Sequence, residues 1–154
     1  MTDNAPQSVT LGQNFHIERD SDPVADRRTV EHLAEDVAAE FGPRNERIFS
    51  LAARDADGGW VGGVKGVIHW RWLYIAQIFI EPSHRGHGLG SALLGEAELL
   101  AKDNDCVGLY LDTFSPRALD FYRANGFVVA GRIDNFPPGA ARTFLYKPLT
   151  PASA

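Results

Sequence analysis

At 154 residues, with 44% hydrophobic and 23% charged side chains, the chain has the size and composition of one compact globular domain with a real core. Its net charge of -5 comes without a basic stripe to track phosphates, which argues against nucleic-acid binding, and it holds no run of about 18 apolar residues to cross a membrane. A single cysteine, Cys106, excludes an intramolecular disulfide, and no group of Cys, His or carboxylates has metal-ligand spacing, so neither a disulfide scaffold nor a metal site is expected.

The opening Met1 to Gln13 is polar and lacks the basic-then-apolar layout of a signal peptide, so a soluble, cytoplasmic protein is expected. Charge is uneven: residues 1–60 hold twelve acids against six Lys and Arg, and residues 61–154 hold eight against nine. Such an acidic front half suits a cationic substrate, although a solvated surface has the same composition.

Phe15 to Arg19 reads as a first strand. Asp22-Pro23 opens a helix, with Asp as N-cap and proline at the first helical position. Val30, Leu33, Ala34, Val37 and Phe41 recur at helical spacing, and Gly42-Pro43 stops the run. Ile48 to Arg54 and Val61 to Ile68 are strands joined through the polar turn Asp55 to Gly59. Leu73 to Ile80 is apolar on both faces apart from Gln77, which predicts a central strand covered on two sides. Pro82 ends it. A helix from about Gly88 to Lys102 carries Leu89, Leu93, Ala97 and Leu100 on one stripe. Cys106 to Leu111 is a strand, and Ser115-Pro116 caps a short helix closing at Asn125-Gly126. Phe127 to Ile133 and Thr143 to Tyr146 are the last strands. The order predicts a mixed α/β sheet with flanking helices, in one domain over residues 1–154.

The most informative segment is Ile78-Phe79-Ile80-Glu81-Pro82-Ser83-His84-Arg85-Gly86-His87-Gly88-Leu89-Gly90-Ser91. A buried strand runs through a glycine-rich turn directly into a helix. Glycines let the backbone approach a bulky anion and aim consecutive N–H groups at it. The first helical turn adds unpaired donors and the positive end of the dipole, a combination suited to a diphosphate. A Walker loop would need Lys and Ser or Thr after its last glycine, whereas Gly90 is followed by Ser91-Ala92. A dinucleotide fingerprint would need Gly-x-Gly-x-x-Gly, whereas the spacing is Gly86-x-Gly88-x-Gly90.

Arg85-x-x-Gly88-x-Gly90 resembles the Gln/Arg-x-x-Gly-x-Gly/Ala motif of the Gcn5-related N-acetyltransferases (GNAT family). Ser115-Pro116-Arg117-Ala118-Leu119-Asp120-Phe121-Tyr122-Arg123-Ala124-Asn125-Gly126-Phe127 resembles the later Asn-x-x-Ala-x-x-Phe-Tyr-x-x-x-Gly-Phe block of that family. The resemblance covers roughly residues 15 to 149. It implies the acyl-CoA N-acyltransferase fold, a central, mostly antiparallel sheet with one splayed parallel strand pair and flanking helices. It implies also an acetyl-CoA-dependent acyltransferase that moves an acetyl group to a primary amine, by direct transfer in a ternary complex. A small-molecule amine is the expected acceptor. Protein amino groups, or a non-catalytic acyl-CoA-binding domain, are the alternatives, and a homodimer is left open.

By that resemblance the main chain of Ile78, Phe79 and Ile80 would hold the pantetheine arm, with the N–H of Ile78 on the thioester carbonyl. His87, Gly88, Leu89, Gly90 and Ser91 would give N–H groups to the pyrophosphate, Arg85 and Gly86 would shape the turn, and Ser115 would touch the cofactor. Tyr122 would donate a proton to the leaving thiolate. The general base is open between Glu81, Asp112 and water, because Tyr74 stands where histone-type members carry glutamate. His69, Trp70 and Trp72 are candidates to line an acceptor pocket. The tail resembles a bacterial subgroup of the family in which His is frequent at the position of Ala140.

Overall fold

The structure is a computed structural model that describes residues 9–11 and 15–150. The polar opening segment therefore falls mostly outside the described residues. Contacts within the chain divide it into two units, residues 1–43 and residues 44–154.

The first unit holds a two-stranded antiparallel ribbon and one helix. Strand β1 (Val9–Leu11) pairs with β2 (Phe15–Ile17), a pairing that the sequence did not announce. Helix α1 (Pro23–Phe41) begins where the Asp-Pro pair predicts. The Asp22 carboxylate accepts from the N–H groups of Val24 and Ala25, at 2.8 and 3.0 Å. Gly42, at φ +82°, ends it, a conformation favouring glycine.

The second unit is a six-stranded sheet in the order β3 (Arg47–Arg54), β4 (Trp60–His69), β5 (Trp72–Ile80), β6 (Gly108–Thr113), β8 (Ala141–Pro148) and β7 (Val128–Asp134). Every neighbouring pair is antiparallel except β5 and β6. Helices α2 (Leu89–Asp103) and α3 (Pro116–Ala124) pack with Leu73, Ile75, Leu109, Leu111 and Leu145 into one core. The strand pattern follows from this one-sided packing: Leu109 and Leu111 are buried, while Tyr110 and Asp112 are half-buried on the opposite face.

The expectation for Leu73 to Ile80 is corrected. The strand exists, but Ala76, Gln77 and Phe79 are exposed. Two irregularities account for this. First, Lys65 pairs with Gln77 whereas Gly66 pairs with Ile75, so Ala76 is an extra residue bulged out of the ladder. The bulge depends on Gly66, where a Cβ would collide with the carbonyl oxygen of Tyr74. Second, β5 pairs with β6 only at Trp72, Leu73 and Tyr74. Beyond Tyr74 the parallel strands part. Apolar composition on both faces therefore marked a gap to be lined.

Cys106 precedes its strand instead of starting it. Its N–H bonds to Ala101 O at the end of α2, and burial raises the thiol pKa, which leaves it an unreactive core residue. Lys147 joins three elements: its ammonium donates to Glu98 of α2 at 2.6 Å and to the carbonyl of Asn125, which caps α3, at 3.1 Å.

Candidate active site

The gap between β5 and β6 continues into a cleft of about 890 Å³, walled by Ile78, Phe79 and Ile80 on one side and by Ser115, Ala118 and Tyr122 on the other. Its far end is the glycine turn and the start of α2, where Arg85, Gly86, Gly88, Leu89, Gly90 and Ser91 line it. Of the twelve site residues expected from the sequence, eleven line this one space; His87 instead faces an adjoining hollow of about 470 Å³.

The orientation of the β5 main chain follows from its ladder. Glu81 N–H bonds to Val61 O of β4, so the peptide groups of Glu81 and Phe79 face β4. Peptide groups alternate along a strand, so those of Ile78 and Ile80 face the cleft. With β6 departed, they have no strand partner there. Ile80 O accepts from Arg85 Nε at 2.9 Å, and the Arg85 guanidinium lies over the Phe79 ring at 5.4 Å. Arg85 thus ties the turn back onto the strand, the shaping role expected of it.

The three glycines do different jobs. Gly86 and Gly88 both have φ of +80°, and a Cβ on either would meet nothing within 4 Å, so backbone conformation sets their identity. Gly88 is the N-cap of α2, and the first intrahelical bond runs from Ala92 N to Gly88 O. The N–H groups of Leu89, Gly90 and Ser91 precede that bond and are available to an anion. Gly90 is glycine for packing: a Cβ there would lie 3.0 Å from the Phe121 ring of α3.

Ala118 and Tyr122, four residues apart on α3, both reach the cleft. Tyr122 is 6% exposed, its ring packed against Phe121 at 5.3 Å and Phe127 at 5.9 Å. Its hydroxyl has no hydrogen-bond partner among the described residues, yet no buried side-chain oxygen goes unpaired, so the hydroxyl opens onto the cleft. Burial, with a smaller push from Asp112, raises its pKa above the usual 10 and keeps the proton on. Ser115 is the N-cap of α3, accepting from Ala118 N at 3.2 Å, while it also lines the cleft.

Asp112 lies on β6 just past the point of separation. Its Oδ1 accepts from the Tyr74 hydroxyl at 3.2 Å and its Oδ2 from Arg142 Nε at 2.8 Å. A carboxylate held at both oxygens is placed to fix charge and orientation more than to take a proton. Burial, then Asp112, raises the Tyr74 pKa, and the Tyr110 ring stacks on Tyr74 at 4.8 Å. Arg44 Nε donates to His69 Nδ1 at 3.2 Å, so His69 carries its proton on Nε2 and donates to the Tyr110 hydroxyl at 2.6 Å. Burial, then Arg44, lowers the His69 pKa and keeps the ring neutral.

Trp70 and Trp72 lie at the opposite end of β5, about 20 Å along the strand from Ile78. Trp70 is on the β4–β5 turn beneath the Arg44 guanidinium, and Trp72 packs on Gly108. Neither lines the cleft. Glu81 is bonded through its main chain to β4. Ala140 lines a separate cavity of about 680 Å³ that shares Ser115 with the cleft. Sequence reasoning gave no role to Phe121 or Arg117, which also line the cleft, nor to Arg142. The signal for Arg142 was a cation near the start of the last strand, on the face opposite the buried Thr143 and Leu145.

Among the described residues no group of three or more His, Cys, Asp or Glu could hold a metal, and no helix is long and apolar enough to cross a membrane. The cleft can take an extended amide-bearing arm along the unpaired edge of β5 and an anion at the start of α2. Known proteins share this design. Residues 13–127 match the acetyltransferase (GNAT) family. An acetyltransferase of Agrobacterium fabrum, Atu2258, is 31% identical over 134 residues, covering 87% of this chain and 98% of the relative. Blasticidin-S acetyltransferase of Streptomyces morookaense is 32% identical over 103 residues, covering 66% of this chain and 76% of that one. The crystal structure of an acetyltransferase from Bacillus cereus superposes with a TM-score of 0.76 at 28% identity, covering 88% of this chain and 98% of that one. The chain belongs to the GNAT acetyltransferase family, and as a member it is an N-acetyltransferase with acetyl-CoA as its co-substrate.

Proposed function

We propose that the protein moves the acetyl group of acetyl-CoA to a primary amine of a small molecule, directly and without an acyl-enzyme. The carrying observation is the Tyr122 hydroxyl, protonated and without a partner among the described residues, opening onto the same cleft as the unpaired edge of β5 and the glycine start of α2. A domain that only bound acyl-CoA would need the strand edge and the helix start, but no proton donor between them. The small-molecule acceptor is supported by the antibiotic named for the Streptomyces relative. Direct transfer is supported by the buried Cys106 with its raised pKa, which offers no nucleophile.

In this reading the main chain of Ile78 and Ile80, with Phe79 between them, holds the pantetheine arm, and the N–H of Ile78 faces the carbonyl to be attacked. The N–H groups from His87 to Ser91 take the pyrophosphate, and Arg85 and Gly86 hold the turn open. Acetyl-CoA supplies the activated acyl group. Tyr122 holds its proton toward the place where the thiol leaves. A primary amine with pKa near 10 is only about 0.1% neutral at pH 7, a handicap of roughly 4 kcal/mol, which desolvation in the cleft or a bound water must offset. Asp112 and Arg142 hold Tyr74 beside that place. The testing experiment is thermal melting with acetyl-CoA, followed by thiol release against a panel of amines. Stabilisation by acetyl-CoA with amine-dependent thiol release is expected. Stabilisation without release on any amine would return the protein to acyl-CoA binding alone.

A further inference from the structure

Arg142, near the gap, has incomplete bonding among the described residues. Asp112 takes its Nε, and no acceptor among the described residues reaches either terminal nitrogen. The guanidinium is instead enclosed by three ring faces, Phe136 at 5.0 Å, Phe144 at 5.3 Å and Phe114 at 5.4 Å. The side chain is 28% exposed, and Phe114 and Phe136 are 48% and 41% exposed. A permanently charged fork is thus pre-oriented, with its inner edge on Asp112, its faces on rings and its outer edge free. The ring faces attract the cation and help to hold the fork in place.

The position matters as much as the chemistry. Asp112 couples Arg142 to the Tyr74 hydroxyl on β5, just where β5 and β6 separate, and its charge is felt by Tyr122 across the gap. Arg142 therefore stands on the sheet face that carries Asp112 and Tyr110, beside the point where β5 and β6 part. The Tyr74 proton is committed to Asp112, so its oxygen can only accept, as an incoming amine N–H requires.

We propose that Arg142 selects the acceptor by receiving a carboxylate on its two free nitrogens, so that the acceptor is an amino acid or another small amine bearing a carboxylate. This rests on the acetyltransferase reading above. A planar carboxylate matches the planar fork as a bidentate partner. The acidic excess of the first 60 residues suited a cationic acceptor. A guanidinium at the site calls for one that carries an anion as well as its amine.

The test uses matched acceptors on the full chain: lysine, phenylalanine, β-alanine and γ-aminobutyrate, each beside its carboxamide and the amine lacking the carboxyl group. Thiol release from acetyl-CoA gives kcat/KM for each, and calorimetric titration of the same compounds into the CoA-bound protein gives a readout apart from turnover. Wild-type protein should prefer at least one acid over its carboxamide by about tenfold to a hundredfold, the range for a hydrogen bond to a charged group. Arg142→Gln should erase that ratio by weakening the acid about tenfold or more beyond any loss on the carboxamide. Arg142→Lys, which keeps the charge beside Asp112 but loses the fork, should retain only part of the ratio. Damage to the fold would lower acid and amide together and leave their ratio intact; that result overturns the proposal. Carboxamides or simple amines turned over as well as acids by wild-type protein would overturn it too, while upholding the acetyltransferase reading. No release with any amine, despite acetyl-CoA binding, would overturn both.

Discussion

Replacing Tyr122 by Phe separates packing from chemistry at the reaction centre. The ring is 6% exposed and touches Phe121 and Phe127, contacts that phenylalanine keeps. The hydroxyl has no partner among the described residues, so its removal strands no donor or acceptor there, and the fold should change in stability by no more than about 0.5 kcal/mol. For a chain of this length that is a melting shift of about 2 °C or less. The acetyl-CoA melting shift should be kept as well, because the strand edge and the helix start are untouched. The chemical step should slow by about 10² or somewhat less, the low end for a general acid with a fairly good leaving group. Single-turnover thiol release is the proper assay, because slow product release could hide the loss. Burial raises the phenol pKa, so the proton is present throughout the neutral range and is lost only as pH rises above 10. A wild-type rate that falls above pH 10, and a Tyr122→Phe rate that lacks this fall, would carry the same assignment. An unchanged single-turnover rate in the variant would refute it, and would mean that the thiolate departs unaided.

Three further substitutions probe the frame around this residue. Gly88→Glu should cost about 1–2 kcal/mol for its left-handed backbone and abolish the acetyl-CoA melting shift, since carboxylate and Cβ both intrude on the anion; equal shifts in variant and wild type would remove the anion site from this turn. Gly66→Ala forces a Cβ onto the Tyr74 carbonyl, so the bulge must shift; a loss of about 2–3 kcal/mol by denaturant unfolding, with weaker acetyl-CoA binding, is expected, and an unperturbed variant would show that the bulge does not depend on this glycine. Lys147→Met unties Glu98 and the Asn125 carbonyl. The Glu98 pKa is lowered chiefly by its hydrogen bond to Lys147, so the wild type keeps this stabilisation above pH 4.5 and loses it as pH falls through the lowered pKa. The variant should be less stable at neutral pH by about 1–3 kcal/mol and less acid-sensitive below pH 4.5, and identical acid unfolding curves would discount the tie.

Local rules made much of the frame legible. Asp22-Pro23 and Ser115-Pro116 announced two helix starts, because a capping side chain and a fixed φ act within three residues of each other. The left-handed glycine that closes α3, Gly126 at φ +90°, was legible for the same reason: the end of a helix sets it locally. The helical spacing of Ala118 and Tyr122 put both on one face before any contact was known. Other features depend on residues distant in sequence, and only the tertiary structure decided them. The bulge at Ala76 exists because Gly66 on the neighbouring strand admits the Tyr74 carbonyl, and the gap exists because β6 leaves β5 after Tyr74. An apolar run reads alike whether it is covered by helices or borders an opening, so Leu73 to Ile80 looked doubly buried. The packing reason for a glycine at position 90 appeared only when Phe121, 31 positions later, was placed against it. Arg142 was one cation among many until folding set Asp112 at its inner edge and three rings on its faces. Capping and backbone propensity are short-range and visible in a string of residues; which side chain completes another's bonding is a long-range matter, settled when the strands pair.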